Sequence, residues 1–193
     1  MHENVRLLMS RMPPHEGAGD RIDWDQVRQV WGTGFPSDFM DFMSIYGTGA
    51  ISDVLEISRQ NEGAPGDGPF DAWFTPMEDW LGEVSAPYPE WPNPGSLISW
   101  GLDENQNGYY WSTRGDRPDR WPVVLWEFNS EDPDGFIEFD YGMAGVLLKA
   151  FGEDKPRPFD EGFIADITRP RFLHRREQAR LRALGLDPWL DEG

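Results

Sequence analysis

Asp103, Asn105, Asn107 and Gly108 stand in the order Asp-x-Asn-x-Asn-Gly, the opening of a calcium loop with oxygen ligands at alternate positions before a glycine. Such a loop closes with a bidentate Glu six residues after that glycine. Arg114 stands there instead, and Tyr109 to Thr113 reads as a strand, so the segment is expected to be a polar hairpin turn without a metal. Carboxylates are abundant enough for two to meet as the acid and base of a hydrolase. None lies in a recognisable motif, however, and a catalytic pair would need one member in an apolar pocket. His2, His15 and His174 are scattered, which suggests neither a zinc site nor a histidine base. There is no cysteine, so thiolate chemistry and disulfides are excluded, and there is no G-x-S-x-G, P-loop or dinucleotide fingerprint. No catalytic residue and no cofactor is expected.

Charge is the strongest global feature. The 193 residues carry 17 Lys or Arg against 35 Asp or Glu, a formal net charge of −18. Its distribution is uneven: from Gln29 to Thr113 there are thirteen acidic residues and one basic one, Arg59, whereas six Arg fall between Arg169 and Arg182. Such a field repels nucleic acid and anionic membranes and speeds encounter with a basic protein. The Arg-rich segment is expected to cover acidic residues of its own domain or of a second copy. The opening MHENVRLLMSRMPP has a broken apolar run and no small-residue cleavage pattern, and no stretch approaches the ~20 apolar residues of a membrane span. A cytoplasmic protein is the expectation.

These side chains need elements to hold them, and the clearest is FPSDFMDFMSIYGTG, Phe35 to Gly49. Pro36 and Ser37 can start and cap a helix. Phe39, Phe42, Met43 and Tyr46 recur at i, i+3, i+4 and i+7, a buried face with Asp38 and Asp41 turned to solvent, and Gly47 and Gly49 can end the helix. A shorter helix, Trp24 to Trp31, is capped by Asp23. Ile51 to Ile57, Ser96 to Gly101, Gly108 to Thr113, Val123 to Phe128 and Phe136 to Phe139 read as strands, with Asn107-Gly108 as a hairpin signal. Their close spacing predicts an antiparallel meander rather than βαβ crossovers. Further helices are expected over Phe70 to Val84, with Asp71, Glu78, Asp79 and Glu83 on the outer side, over Tyr141 to Phe151, and from about Arg171 to Leu184. Gln60 to Pro69 and Ser85 to Gly95 read as Gly- and Pro-rich loops. Trp73, Trp91 and Trp111 are either core or interface anchors.

The Trp-ended helix, the run Gly34-Phe35-Pro36-Ser37-Asp38-Phe39, the apolar helix closing in Tyr-Gly-x-Gly, and the strands LISWGLDENQNGYYWST and WPVVLWEF together resemble the SUKH superfamily, from about Ile22 to Phe151. The resemblance implies a non-catalytic α+β domain, used as a bacterial immunity protein against a toxin or, in fungi, as a regulatory scaffold. The chain departs from a minimal member in its proline loop and Arg-rich extension. The expected fold is α+β, a mainly antiparallel sheet of five or six strands with helices packed on one side. Residues 1–21 are taken as a loose arm that can dock a turn of helix around Leu7, 22–152 as the SUKH-like domain, and 153–193 as an extension packed on it. The expected function is neutralisation of a toxin, a basic nuclease, with Asp38, Asp41, Asp71, Glu78, Asp79, Glu83, Asp103 and Glu104 as candidate partner-binding residues. A scaffold with an endogenous partner and a carboxylate-dependent hydrolase are the alternatives.

Overall fold

Short strands buried on both faces pair into one antiparallel sheet, against which the apolar helix faces close. The computed structural model describes residues 1–57, 88–90, 92–128 and 135–190. Its strands are β1 (Gly49–Ile51), β2 (Leu55–Ile57), β3 (Leu97–Asp103), β4 (Gly108–Ser112), β5 (Val123–Trp126), β6 (Phe136–Phe139) and β7 (Phe172–His174). Its helices are α1 (Glu3–Arg11), α2 (Trp24–Trp31), α3 (Ser37–Ile45), α4 (Met143–Ala150), α5 (Gly162–Ala165) and α6 (Arg175–Ala183). The sheet order is β6-β5-β4-β3-β2-β1-β7, every adjacent pair antiparallel. The fold is α+β, and the meander from β3 to β6 is as the spacing predicts.

Among the described residues there are seven strands where five or six were expected, for two reasons. The stretch Ile51 to Ile57 is not one strand but the tight hairpin β1–β2, because Ser52 and Asp53 take positive φ, +51° and +61°. Those angles suit a mirror-image turn, closed by the Val54 N–H on Ile51 O at 3.0 Å within a three-residue connection, and neither position carries the glycine that usually signals it. The seventh strand comes from the C-terminal segment. Phe172 to His174 pair with β1 as the sheet edge, so the last helix begins at Arg175 rather than near Arg171.

Helix α3 has the face its spacing predicts: Phe39, Phe42, Met43 and Tyr46 are all fully buried. Phe39 meets Trp111 of β4 edge-on at 4.8 Å between centroids, and Phe42 and Tyr46 meet Phe172 of β7 at 5.7 and 5.2 Å. Edge-to-face pairs of this kind add about 0.5–1.5 kcal/mol beyond the area they bury. Trp111 is therefore core. Gly47 closes α3 with φ +73°. The start of α3 differs from expectation. Ser37 makes no cap with its own side chain; its N–H donates to Asp119 Oδ1 at 2.6 Å, a carboxylate brought from the turn before β5. Asp23 does cap α2, accepting from Asp25 and Gln26 N–H.

Residues 1–21 are not a loose arm. Val5, Leu8 and Met12 are buried with α3 and α4, the Tyr46 hydroxyl donates to Met12 O at 2.7 Å, and Leu7, the expected docking residue, is the one left exposed. The helical core lies on the sheet face carrying Ile98, Trp100, Tyr109, Trp111, Val123 and Leu125. The opposite face carries a separate cluster, Leu97, Tyr110 and Val124, joined by Tyr88, Trp126 and Phe136. Among the described residues no helix is long and apolar enough to cross a membrane. The expected helix at Phe70 to Val84, the loop Gln60 to Pro69, and Trp73 and Trp91 lie outside the described residues.

Candidate partner-binding surface

Two of the expected surface carboxylates are buried instead. Asp38 is only 4% exposed. Its Oδ2 accepts the Ala144 N–H at 2.9 Å, in the first turn of α4, which has no capping side chain of its own, and its Oδ1 accepts the Phe39 N–H. The α3 periodicity places Asp38 beside the apolar face, and the neighbouring helix end turns that position inward. Burial raises its pKa, against the opposing effect of the Ala144 and Phe39 N–H groups.

Asp103, 6% exposed, ends β3. Oδ1 accepts the Asn107 N–H at 3.0 Å, and Oδ2 accepts from Asn107 Nδ2 at 3.1 Å and the Tyr109 hydroxyl at 3.0 Å. Burial raises its pKa, opposed by these donors, and the Tyr109 hydroxyl is raised well above its ordinary value by burial and by the carboxylate beside it. The Asp-x-Asn-x-Asn-Gly run is thus a hairpin turn organised around one carboxylate surrounded by donors, where a cation would need oxygens. Arg114, at the position of the calcium loop's closing Glu, pairs with Glu138 at 2.9 Å. Positive φ falls at Gln106, +68°, rather than at Asn107-Gly108. Gly108 is needed for a different reason: a Cβ there would sit 2.3 Å from the Tyr110 hydroxyl.

The turn is braced on both sides. Glu104 N–H donates to Val54 O at 2.8 Å, Gln106 N–H to Asp103 O at 2.9 Å, and Phe128 N–H to Asn107 Oδ1 at 3.0 Å. Glu104, Asn105 and Gln106 remain exposed at its tip. Two clefts flank it. One, about 290 Å³, includes Asp53, Glu56, Glu104, Arg175 and Arg182 in its lining; the other, about 240 Å³, includes Asn105, Glu127, Arg157 and Glu161. Strand register explains the first grouping: Leu55 lies opposite Asp103 and Glu56 opposite Leu102, so the β1–β2 turn stands next to Glu104.

Of the expected partner-binding residues, Glu104 is therefore at the surface, Asp41 is half-buried and accepts the His2 N–H, and Asp38 and Asp103 are internal. Asp71, Glu78, Asp79 and Glu83 lie outside the described residues. Asp53, Glu56, Glu127 and Glu161 join Glu104 only through pairing between segments far apart in the chain. The one local sign of such a site was the polar turn itself. In the Arg-rich helix, Arg176 bonds Asp20 at 2.8 Å and Arg180 bonds Glu177 of the same helix at 2.7 Å. A larger hollow, about 1220 Å³, mixes Arg11, Lys155 and Arg169 with Glu153, Asp154 and Asp160. Its Lys155 ammonium is engaged by the carbonyls of Ile164, Ala165 and Ile167, a local staple. Among the described residues no group of three metal-ligating side chains converges. Comparison with known proteins finds no matching family model, no matching curated protein and no matching solved structure.

Proposed function

We propose that this chain is a non-enzymatic, cytoplasmic protein-binding domain, an immunity protein of the SUKH type that occupies a cognate bacterial toxin, a nuclease with a basic active-site surface. The observation that carries this reading is the braced turn at residues 103–107, which holds Glu104, Asn105 and Gln106 outward with its internal carboxylate fully engaged. A surface ordered before binding loses little entropy on association. Acidic side chains around it, in a chain of net charge −18, favour fast encounter with a cationic partner. An α+β fold built on an antiparallel sheet is what the family resemblance implies. A hydrolytic role finds less support, because the two buried carboxylates with raised pKa, Asp38 and Asp103, each accept hydrogen bonds on both oxygens.

The test is association with the toxin encoded beside this gene, followed by stopped-flow at low salt. Reversing Asp53 and Glu104 together to Lys is expected to slow association by about tenfold or more and to weaken protection of cells making the toxin, with the melting temperature unchanged within about 2 °C. Unchanged association together with unchanged protection would remove this turn from the interface.

A further inference from the structure

All three histidines of the chain are used in the same way, as acceptors of a backbone N–H through one ring nitrogen. His2 Nδ1 accepts from Asn4 at 3.3 Å at the start of α1, and His174 Nδ1 accepts from Arg176 at 3.0 Å at the start of α6. The third, His15, lies at the open edge of the sheet. Strand β7 bonds inward to β1 through alternate residues, as when Arg175 N–H donates to Thr48 O at 2.9 Å, so the intervening His174 N–H points away from the sheet. An outward N–H on an edge strand is a template for unwanted pairing. Here it donates to His15 Nε2 at 3.0 Å.

The tautomer follows from the second ring nitrogen. His15 Nδ1 lies 2.9 Å from Glu16 O, an oxygen that can only accept, so the proton is on Nδ1 and Nε2 keeps its lone pair. Protonation at Nε2 abolishes that acceptor and sets two N–H groups against each other. We propose that His15 is a protonation-sensitive cover for the β7 edge, capping the His174 N–H when the ring is neutral and leaving it open when the ring is charged, while Asp20 and Arg176 keep residues 17–20 in place.

The groups around the ring set the balance. Glu177 of α6 interacts electrostatically with His15. Arg180 holds the same carboxylate and weakens that interaction. Arg176 donates to Asp20, Gly17 O and Gly19 O, which ties the arm down independently and opposes a second positive charge nearby. His174 Nε2 lies 3.0 Å from Asp20 Oδ1, so that ring's proton is already placed toward the carboxylate, while its Nδ1 is occupied by Arg176 N–H. His15, half-exposed and with its Nε2 directed at a single backbone donor, is the member of this cluster whose charging breaks a contact to the strand itself.

Hydrogen exchange on the full chain tests this at pH 7.4 and 5.5, the interval in which histidine titrates, with each rate corrected for intrinsic chemistry and normalised to β4. The His174 amide of the wild type is expected to lose protection by about fivefold or more on acidification, as loss of one hydrogen bond implies. His15→Gln, whose side-chain oxygen accepts at either pH, is expected to stay protected at both, and His15→Ala to be unprotected at both. Equal wild-type protection at the two pH values, or a loss in His15→Gln as large as in the wild type, overturns the proposal. Nitrogen-resolved NMR of the wild-type histidines serves should either variant misfold. A His174 amide shift that does not follow the titration of the His15 ring overturns it equally.

Discussion

Asp38 shows how one side chain can contradict its position on a helical wheel. Its carboxylate replaces the missing cap of α4, yet burial raises its pKa, so retaining the charge at neutral pH works against stability while accepting the Ala144 N–H works for it. The two effects separate by substitution. Asp38→Ala removes the acceptor and is expected to cost about 1–2 kcal/mol, the usual loss of a cap. Asp38→Asn keeps an oxygen for Ala144 without the buried charge but loses the acceptor facing the Phe39 N–H, and is expected to cost less than Asp38→Ala. Urea unfolding at pH 7 measures both. Equal losses in the two variants would mean that the charge, rather than the acceptor, holds the helix end.

At the scale of elements, what could be read from the chain was whatever depends on near neighbours. The face of α3, the Asp23 cap and the meander from β3 to β6 follow from periodicity and turn spacing, and each is present. What could not be read depends on a distant partner. The β1–β2 hairpin bends at Ser52 and Asp53, which carry no glycine signal, and β7 is a strand only because β1 offers an edge to Phe172 and Leu173. The candidate surface is obscured for the same reason, since Asp53 reaches Glu104 through the register of β2 on β3.

The joint between the first residues and β7 makes a further element-scale prediction. Burial alone would raise the pKa of Asp20, but hydrogen bonds from His174, Thr48 N–H and Arg176 outweigh it and hold the carboxyl at about 2, below its ordinary 3.8. A depressed folded-state pKa gives stability that is complete above the unfolded value and is lost as pH falls from there through about 2. Between pH 5 and pH 2 the wild type is therefore expected to lose about 2 kcal/mol more than Asp20→Asn, measured by urea unfolding across that range. Parallel pH profiles for the two proteins would show that Asp20 does not hold this joint.

For the whole molecule, the net charge of −18 acts on stability and on encounter with opposite signs. The ion pairs at Arg114–Glu138, Arg157–Glu161 and Arg180–Glu177 are largely exposed, and pairs of that kind contribute little to stability. Repulsion among the surplus carboxylates is spread over the surface and reaches about 30 Å at 0.01 M salt but only about 8 Å at 0.15 M. Screening should relieve more repulsion than it removes attraction. The melting temperature at pH 7 is expected to rise by a few degrees as sodium chloride goes from 0.01 to 0.15 M, while association with a basic partner slows over the same range. A melting temperature that falls with salt would mean that local pairing already balances the acidic surplus. A field balanced in that way would have little reach beyond the surface, and steering by the turn at residues 103–107 would lose its physical basis.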